Sequence, residues 1–353
     1  MKHSRVPFSS SVSKRPKTYL YIPEEAERTL HHVKNRNGDT IKFQNPYPSF
    51  GSPSSIFQMM SKIFKAQRAG KISQPDCTNI KLPVIPATFL TSRFNNNPSL
   101  RATWLGHACY YVEFPSGLRV LFDPVFEDRC TPVRWAGHKR LTQPPCSISH
   151  LPFIDAVVIS HSHYDHLSHK SVLDIQHHHP EAHFFVGLGI ADWFRQCAIS
   201  NVTELDWWQD ANLDLLDSVS KSIRITATFS CLPSQHSSGR TLTDKDSTLW
   251  ASWAVSSGGK SVWFAGDTGY RAVPETESTD DYGPEYMSLP RCPCFVQIGR
   301  LRRPFDLGLI PIGVYKPRFL WSPLHANPRD AVEIFLDTKC RSHGYTLGYL
   351  GSY

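Results

Sequence analysis

The sequence predicts an α/β protein in which two packed β-sheets are flanked by helices. From Ala102 onward, short β-type runs alternate with turns and a few helical patterns, and polar loops follow several of these runs. Many strands interrupted by few helices are typical of a layered fold, because each sheet must bury an apolar face against another element. A chain of 353 residues, of which 40% are hydrophobic and 20% charged, is long enough to bury such a core.

Local patterns place the individual elements. The apolar run from Ile154 to Ile159 predicts a buried strand, and Asn327, Pro328 and Asp330 predict the capped start of a helix. The predicted helices lie near residues 169–178, 190–198 and 328–338. The predicted strands are residues 103–105, 109–114, 119–123, 154–160, 183–187, 203–207, 223–229, 249–255, 261–265 and 307–312.

The first 100 residues predict an N-terminal extension that is partly disordered. Residues 1–22 contain basic residues and serines but no acidic residue, which is typical of a disordered tail and also of a mitochondrial targeting segment; we favour the tail. Residues 54–68 repeat apolar side chains at helical spacing beside Lys62, Lys65 and Arg68. This pattern predicts an amphipathic helix that either contacts an anionic membrane or, more commonly, packs against the main domain.

Composition restricts the compartment and the partners. No apolar run is long enough to span a membrane, and no signal-peptide core is visible. Nine cysteines without a Cys-x-x-Cys pair indicate a reduced, intracellular protein. The net charge of +7 favours anionic partners, but the basic residues are scattered and accompany no RNA- or DNA-binding motif. We therefore expect no nucleic-acid partner.

The most informative stretch is the loop that follows the predicted strand at Ile154–Ile159. His161, His163, Asp165 and His166 fall within six positions there, and all four side chains can bind metal ions. Ligands crowded this closely at a strand end can serve two ions, and neutral imidazole suits Zn²⁺. A histidine-rich polar surface loop is the alternative, but the strand and the distant partners favour a metal site.

Further strand ends supply the distant partners. His236 follows a β-type run in Pro-Ser-Gln-His, and Asp267 ends another in Gly-Asp-Thr-Gly. An aspartate beside glycine is a common turn residue, but combined with the first cluster it becomes a candidate bridge between two metal ions. Asp123 and His107 are candidates for orienting the ligands, with a turn aspartate and a packed core histidine as equal alternatives.

These residues together resemble the metallo-β-lactamase superfamily, whose pattern is His-x-His-x-Asp-His, a distant histidine and Gly-Asp-Thr-Gly. Longer motifs narrow the resemblance to the zinc phospholipases D that hydrolyse N-acyl-phosphatidylethanolamine, and it covers roughly residues 100–340. The motifs run from Trp104 to Ala108, Phe122 to Pro124, Glu204 to Trp208, Pro233 to His236, Leu249 to Trp253, Phe264 to Tyr270 and Phe305 to Gly313.

The resemblance implies an αββα sandwich with two metal ions at one edge. His325 matches a family histidine near the active site, although the family usually has Gln and Asp where this chain has Leu324 and Asn327. We interpret His325 as a residue on the substrate side, with a structural histidine at the helix start as the alternative. The implied ligands are His161, His163 and His236 for one Zn²⁺, Asp165 and His166 for the second, and Asp267 between the two.

The resemblance also implies the activity, a zinc-dependent phosphodiester hydrolysis of the phospholipase D type that releases N-acylethanolamine and phosphatidic acid. Two metal ions in such a site clamp a phosphate diester and activate water, with Asp165, Asp267 and His325 as the catalytic residues. The expected partner is a phospholipid at a membrane surface, in the cytoplasm or, if residues 1–22 are a targeting segment, in mitochondria. A homodimer is left open.

The chain departs from the family pattern near its C-terminal end. A further family ligand, a histidine in Ile-His-Trp-Gly-Thr, should fall at position 347, where this chain has leucine, and His343 lies too early to replace it. We therefore expect a hydrolase domain, residues 101–353, that is truncated and has a weakened second metal site. One choice of codons for residues 343–353, read one base later, encodes Ile-His-Trp-Gly. We attribute this end to a frameshift or a misplaced splice boundary.

Three other functions stay open from the sequence. One is a hydrolase of the same fold, a lactonase or phosphodiesterase, that acts on soluble substrates. Another is a membrane-associated family member whose catalytic site is impaired. The least favoured is a nucleic-acid-processing hydrolase, because such enzymes usually contain a large inserted domain and the insertion at residues 272–297 is short.

Overall fold

The computed structural model describes residues 8–15, 22–24, 28–51, 56–70, 83–94, 98–131, 139–140, 142–218, 222–275, 280–302 and 304–346. The strands are β1 (Phe8–Lys14), β2 (His32–Lys34), β3 (Thr40–Phe43), β4 (Arg101–Gly106), β5 (Cys109–Glu113), β6 (Arg119–Phe122), β7 (Ala156–Val158), β8 (His183–Gly187), β9 (Val202–Leu205), β10 (Asp210–Asp217), β11 (Ile223–Leu232), β12 (Ser252–Ser257), β13 (Lys260–Phe264), β14 (Leu307–Pro311) and β15 (His343–Thr346). The α-helices are α1 (Ile56–Arg68), α2 (His169–His178), α3 (Ala191–Gln196), α4 (Cys294–Leu301), α5 (Arg318–Trp321) and α6 (Pro328–Thr338). Short 3-10 helices span Pro48–Phe50, Ile148–His150 and Pro284–Tyr286.

Two large sheets and one hairpin contain these strands. The first sheet has the order β1-β10-β11-β12-β13-β14-β15; it is antiparallel up to β13 and parallel from there to β15. The second has the order β4-β5-β6-β7-β8-β9 and is parallel from β6 to β9. Strands β2 and β3 form the separate hairpin. Each sheet therefore presents the carboxyl ends of several strands at one edge.

The two sheets pack face to face through aromatic side chains. Phe185 of β8 stacks on Phe229 of β11 with ring centroids 3.9 Å apart, and Phe122 of β6 meets Phe264 of β13 at 4.9 Å. All four side chains are fully buried. Burial of a phenylalanine side chain contributes about 1.5–3 kcal/mol, so these pairs contribute strongly to holding the sheets together.

Helices cover the outer faces of both sheets. Val157 of β7 lies in one buried cluster with Val172 of α2 and Phe194 of α3. On the opposite side, the ring of Trp263 in β13 meets that of Phe295 in α4, with centroids 6.1 Å apart. Successive strand residues face opposite sides of a sheet, which is why each strand supplies both an inner and an outer core. The predicted α/β fold, an αββα sandwich, is confirmed.

Two histidines anchor the hairpin of β2 and β3 to the main domain. The Nε2 atoms of His31 and His32 lie 2.7 Å and 3.0 Å from the two carboxylate oxygens of Asp206, just after β9. Burial raises the pKa of Asp206, but the hydrogen bonds from both imidazoles outweigh it and hold that pKa below its usual value. Hydrogen bonding between the hairpin and the main domain therefore accounts for the close approach of these three side chains.

The N-terminal extension is partly incorporated into the main fold. Residues Phe8–Lys14 form β1, which pairs antiparallel with β10, and Phe8 and Val12 pack against the core between the sheets. The expectation of a disordered tail is therefore wrong for these residues. They form backbone hydrogen bonds with the edge strand β10, and two of their apolar side chains are packed against the core. Residues 1–7 and 16–21 lie outside the described residues.

The amphipathic helix predicted at residues 54–68 is present as α1, although residues 52–55 lie outside the described part of the chain. Lys62, Lys65 and Arg68 are exposed on it, and Phe64 is 63% exposed. Among the described helices, none is both long enough and apolar enough to cross a membrane.

Candidate metal centre

Loops at the carboxyl ends of several strands meet at one edge of the sandwich. The loop after β7 contributes four side chains, and the loops after β11, β13 and α5 contribute one each. Donor atoms of all seven lie in converging groups whose members are within 4.8 Å of one another. Every candidate ligand and catalytic residue from the sequence is in this assembly: His161, His163, Asp165, His166, His236, Asp267 and His325.

Three imidazoles form the first donor group. Nε2 of His161 lies 2.8 Å from Nδ1 of His163, and Nε2 of His236 lies 3.4 Å from the same Nδ1. Neighbouring ligand atoms around one tetrahedral Zn²⁺ are about 3.4 Å apart, given Zn–N distances of about 2.0–2.1 Å. The three nitrogens therefore have the spacing of ligands to one metal ion.

A carboxylate connects this group to the second one. Nε2 of His166 lies 3.8 Å from a carboxylate oxygen of Asp165 and 3.1 Å from one of Asp267. Asp267 also converges with His161 and His166, and separately with His236 and His325. Its position between the two groups is the one that a bridging ligand requires.

Burial controls the protonation of the first group. It lowers the pKa of His161 and His236 well below 6.5 and that of His163 to about 4, and the neighbouring imidazoles add to the effect for all three. These rings are therefore neutral at pH 7. Neutral imidazole is the form that binds metal, so the donor set fits a metal ion.

The pKa of His166 is shifted in the opposite direction. Burial alone would lower its pKa, but the carboxylates of Asp267, Asp165 and Asp123 outweigh burial and raise that pKa well above 6.5. The ring is therefore protonated at pH 7 when no metal is bound. A metal ion at Nε2 must displace this proton.

We expect metal binding at pH 7 to release about one proton per chain from His166, because ligation and protonation compete for the same nitrogen. Apparent affinity for the second ion should accordingly rise with pH below the pKa of His166. Titration calorimetry of the metal-free protein in buffers of different ionisation enthalpy measures this release. The substitution His166→Asn should abolish it, and a wild-type heat that is independent of the buffer would contradict the prediction.

Asp123 lies next to the donor groups and orients the imidazole of His166. Its fully buried carboxylate accepts hydrogen bonds from the backbone N–H and the hydroxyl of Ser160, at 2.7 Å and 2.6 Å, and from Nδ1 of His166 at 2.6 Å. The hydroxyl of Ser160 lies 2.9 Å from Nδ1 of His161. The sequence left two interpretations of Asp123, a residue that orients the ligands and a turn aspartate. These contacts fit the orienting role, because the hydrogen bond to Nδ1 directs Nε2 of His166 towards the other donor atoms.

The substitution Asp123→Asn should weaken metal binding by about 10–100-fold, the usual effect of removing such a ligand-orienting carboxylate. An amide has only one acceptor oxygen for these three donors. Competition with a chromophoric chelator measures the affinity, and Asp128→Asn is the matched control because its carboxylate is half exposed. Equal affinities of the two variants would contradict the role.

The loop before α6 positions two members of the centre. Nδ1 of His325 lies 3.9 Å from a carboxylate oxygen of Asp267, and the carbonyl oxygen of Leu324 accepts a hydrogen bond from Nδ1 of His236 at 2.9 Å. The side chain of Asn327 caps α6 as predicted. The contact at Leu324 was missed because a backbone carbonyl leaves no signal in a sequence.

Position 347 lies outside the described residues, so the expected C-terminal defect stays a prediction.

Comparisons with known proteins agree with the geometry. A family model described as the beta-lactamase superfamily domain matches residues 118–343. N-acyl-phosphatidylethanolamine-hydrolyzing phospholipase D 1 of Caenorhabditis elegans is 32% identical over 313 residues, which cover 87% of this chain and 80% of that protein. The mitochondrial N-acyl-phosphatidylethanolamine-hydrolyzing phospholipase D of Saccharomyces cerevisiae is 32% identical, with 68% of this chain and 45% of that protein covered. An uncharacterized protein of Mycobacterium tuberculosis is 39% identical, with 67% and 55% covered, so the chain spans about half the length of these last two relatives.

Proposed function

The chain belongs to the beta-lactamase superfamily and, within it, to the family of N-acyl-phosphatidylethanolamine-hydrolysing phospholipases D, and from this membership we propose its reaction. It is a metal-dependent hydrolase. Its substrate is N-acyl-phosphatidylethanolamine, and it breaks the phosphorus–oxygen bond to the N-acylethanolamine, so that phosphatidic acid is the second product. The observation that carries the proposal is the carboxylate of Asp267 between two groups of metal-binding side chains.

We propose Zn²⁺ as the metal, because imidazole nitrogen predominates among the donors. His161, His163 and His236 would hold one ion, Asp165 and His166 the second, and Asp267 would contact both. Bound metal ions would supply Lewis acidity for the phosphoryl group and make a water molecule more acidic. These assignments are supported by the spacing of the donor atoms within each group.

The remaining roles follow from exposure and charge. Asp165 is 37% exposed, so its carboxylate is accessible to solvent and can accept the proton of the attacking water. The pKa of Asp165 is held below its usual value by His166 and His107 although burial raises it, so the carboxylate is ionised at pH 7. Burial lowers the pKa of His325, so this ring is neutral and can donate a hydrogen bond to the phosphate or to the leaving oxygen.

Product analysis tests the reaction. The metal-loaded protein is incubated with vesicles containing N-acyl-phosphatidylethanolamine, and both products are quantified by mass spectrometry. We expect equimolar N-acylethanolamine and phosphatidic acid, loss of both after treatment with a chelator, and normal turnover by His177→Ala, whose exposed ring lies outside the centre. Hydrolysis of soluble esters without hydrolysis of vesicle lipid would favour the lactonase or phosphodiesterase alternative. Metal binding without any turnover would favour the impaired family member.

A phospholipid substrate requires contact with a membrane, and we propose that α1 provides it. Exposed Lys62, Lys65 and Arg68 would face anionic headgroups, while the exposed ring of Phe64 would enter the interface. This surface is compatible with an intracellular protein that is peripheral on a membrane, in the cytoplasm or, as the name of the yeast relative states for that protein, in mitochondria.

The double substitution Lys62→Glu and Lys65→Glu should weaken binding to anionic vesicles by about tenfold or more, since each basic residue near such a surface contributes about 1 kcal/mol. Co-sedimentation with vesicles of phosphatidylcholine and phosphatidylserine measures this binding. Lys42→Glu in β3, also exposed, is the matched control. Equal binding by the double variant and the control would rule out α1 as the contact.

A further inference from the structure

The turn between β4 and β5 holds His107 beside the second donor group. Gly106 and His107 have φ angles of 102° and 53°, so both lie in the left-handed region. The indole N–H of Trp104 donates a hydrogen bond to the carbonyl oxygen of His107 at 2.8 Å. The imidazole of His107 is 6% exposed and packs edge to face on that of His166, with centroids 5.0 Å apart. The backbone therefore adopts an unfavourable conformation that places this ring in the centre.

The ring nitrogen of His107 has the spacing of a ligand. Its Nε2 lies 3.4 Å from the carboxylate oxygen of Asp165 that is 3.8 Å from Nε2 of His166. All three donor atoms lie within 4.8 Å of one another. Neighbouring ligand atoms of one Zn²⁺ ion are about 3.0–3.4 Å apart for octahedral and tetrahedral coordination. The distance from His107 to Asp165 is already within this range, and a movement of about 0.4 Å would bring Asp165 to the same distance from His166.

His107 would add a fourth protein ligand to the second group. Asp165, His166 and the shared Asp267 are three ligands, the number that leaves a position for water in a catalytic Zn²⁺ site, and such sites can expand to five ligands. The residue at position 347 is leucine, which cannot bind metal. Among the residues that the structure describes, the converging group that contains Asp165 is completed by His107 and His166.

We propose that His107 is a ligand of the second metal ion in this chain, bound through Nε2. The proposal rests on the proposed function only in so far as that function places two metal ions in this centre. The competing role is indirect: His107 would donate a hydrogen bond to Asp165 and position that carboxylate without touching the metal. The two roles differ in the number of metal ions bound and in the atoms around the second ion.

Two variants separate these roles. His107→Asn removes the imidazole, and asparagine tolerates the left-handed backbone at this position. His107→Cys replaces the imidazole with a thiolate, which binds Zn²⁺ and Co²⁺. Metal content is measured by elemental analysis after equilibrium dialysis against Zn²⁺, and coordination is measured from the absorption spectrum of the Co²⁺-loaded protein. His177→Ala is the control, since its ring is exposed and lies outside the centre.

We expect two ions per chain in the wild type and in His177→Ala, and one in His107→Asn at the same free Zn²⁺ concentration. Co²⁺-loaded His107→Cys should show a near-ultraviolet sulfur-to-cobalt charge-transfer band that the wild type lacks. Two ions in His107→Asn with wild-type affinity, or no such band in His107→Cys, would overturn the proposal, as would fewer than two ions in the wild type. Loss of one ion in His107→Asn, together with a wild type that binds two ions but leaves the lipid uncleaved, would support the ligand and contradict the proposed function.

Discussion

Replacing Asp267 with asparagine is expected to lower kcat/KM for N-acyl-phosphatidylethanolamine by about three orders of magnitude, because the carboxylate would serve both metal ions. Asp267 converges with His161 and His166 in one donor group and with His236 and His325 in another. An amide carries no charge to offset that of the two cations. The rate is measured from initial release of N-acylethanolamine at saturating Zn²⁺.

The control for this substitution is Asp280→Asn, whose side chain is 67% exposed and lies outside the centre. It should retain wild-type kcat/KM. Elemental analysis of Asp267→Asn should also show fewer than two ions per chain. A variant that kept two ions and at least a tenth of the wild-type activity would show that Asp267 does not connect the two groups.

Replacing Phe185 with alanine is expected to lower the free energy of unfolding by about 3–5 kcal/mol, the usual cost of removing a buried aromatic ring from a core. Phe185 is fully buried and stacks on Phe229 across the two sheets. The remaining cavity would lie where the sheets meet. Urea unfolding, followed by tryptophan fluorescence in the presence of a chelator, measures the change without a contribution from bound metal.

The control for this prediction is Phe64→Ala in α1, because the ring of Phe64 is 63% exposed. Its effect on unfolding should stay within about 0.5 kcal/mol. If both substitutions had equal effects, the packing of Phe185 on Phe229 would not contribute to the stability of the fold as the structure indicates.

The sequence was sufficient to predict which side chains converge, because most of them are concentrated in one loop. The run from Ile154 to Ile159 is apolar except for Asp155, as expected for a strand buried on both faces. The loop that follows it carries four candidate ligands. His236 and Asp267 also follow strands, so their convergence with this loop could be expected. The helices predicted near residues 169–178, 190–198 and 328–338 are present as α2, α3 and α6.

Some elements were missed because their signal depends on partners far away in the sequence. In β10, buried Ala211, Leu213 and Leu215 alternate with Asn212 and Asp214, but these polar residues and the aspartates at both ends of the strand resemble those of a loop. Strand β1 is rich in serine and is specified by its pairing with β10. The first half of helix α4 lies within the segment, residues 272–297, that we expected to be a short insertion.

The contacts that orient the centre were only partly predictable. Asp123 was a candidate, but its three donors could be identified only from the way β6 and β7 lie side by side. His107 presented the same ambiguity, since a histidine in a turn is equally a packed core residue. Its approach to Asp165 depends on the left-handed turn after β4, which sequence spacing does not reveal.

The central claim is that this centre hydrolyses the phosphodiester of N-acyl-phosphatidylethanolamine by attack of water at phosphorus. The most direct test is turnover of the lipid by the Zn²⁺-loaded chain in ¹⁸O-labelled water, with both products analysed by mass spectrometry. We predict one ¹⁸O atom in the phosphate of phosphatidic acid and none in the N-acylethanolamine. Label in the N-acylethanolamine, or no release of either product by a chain that holds two metal ions, would contradict the account.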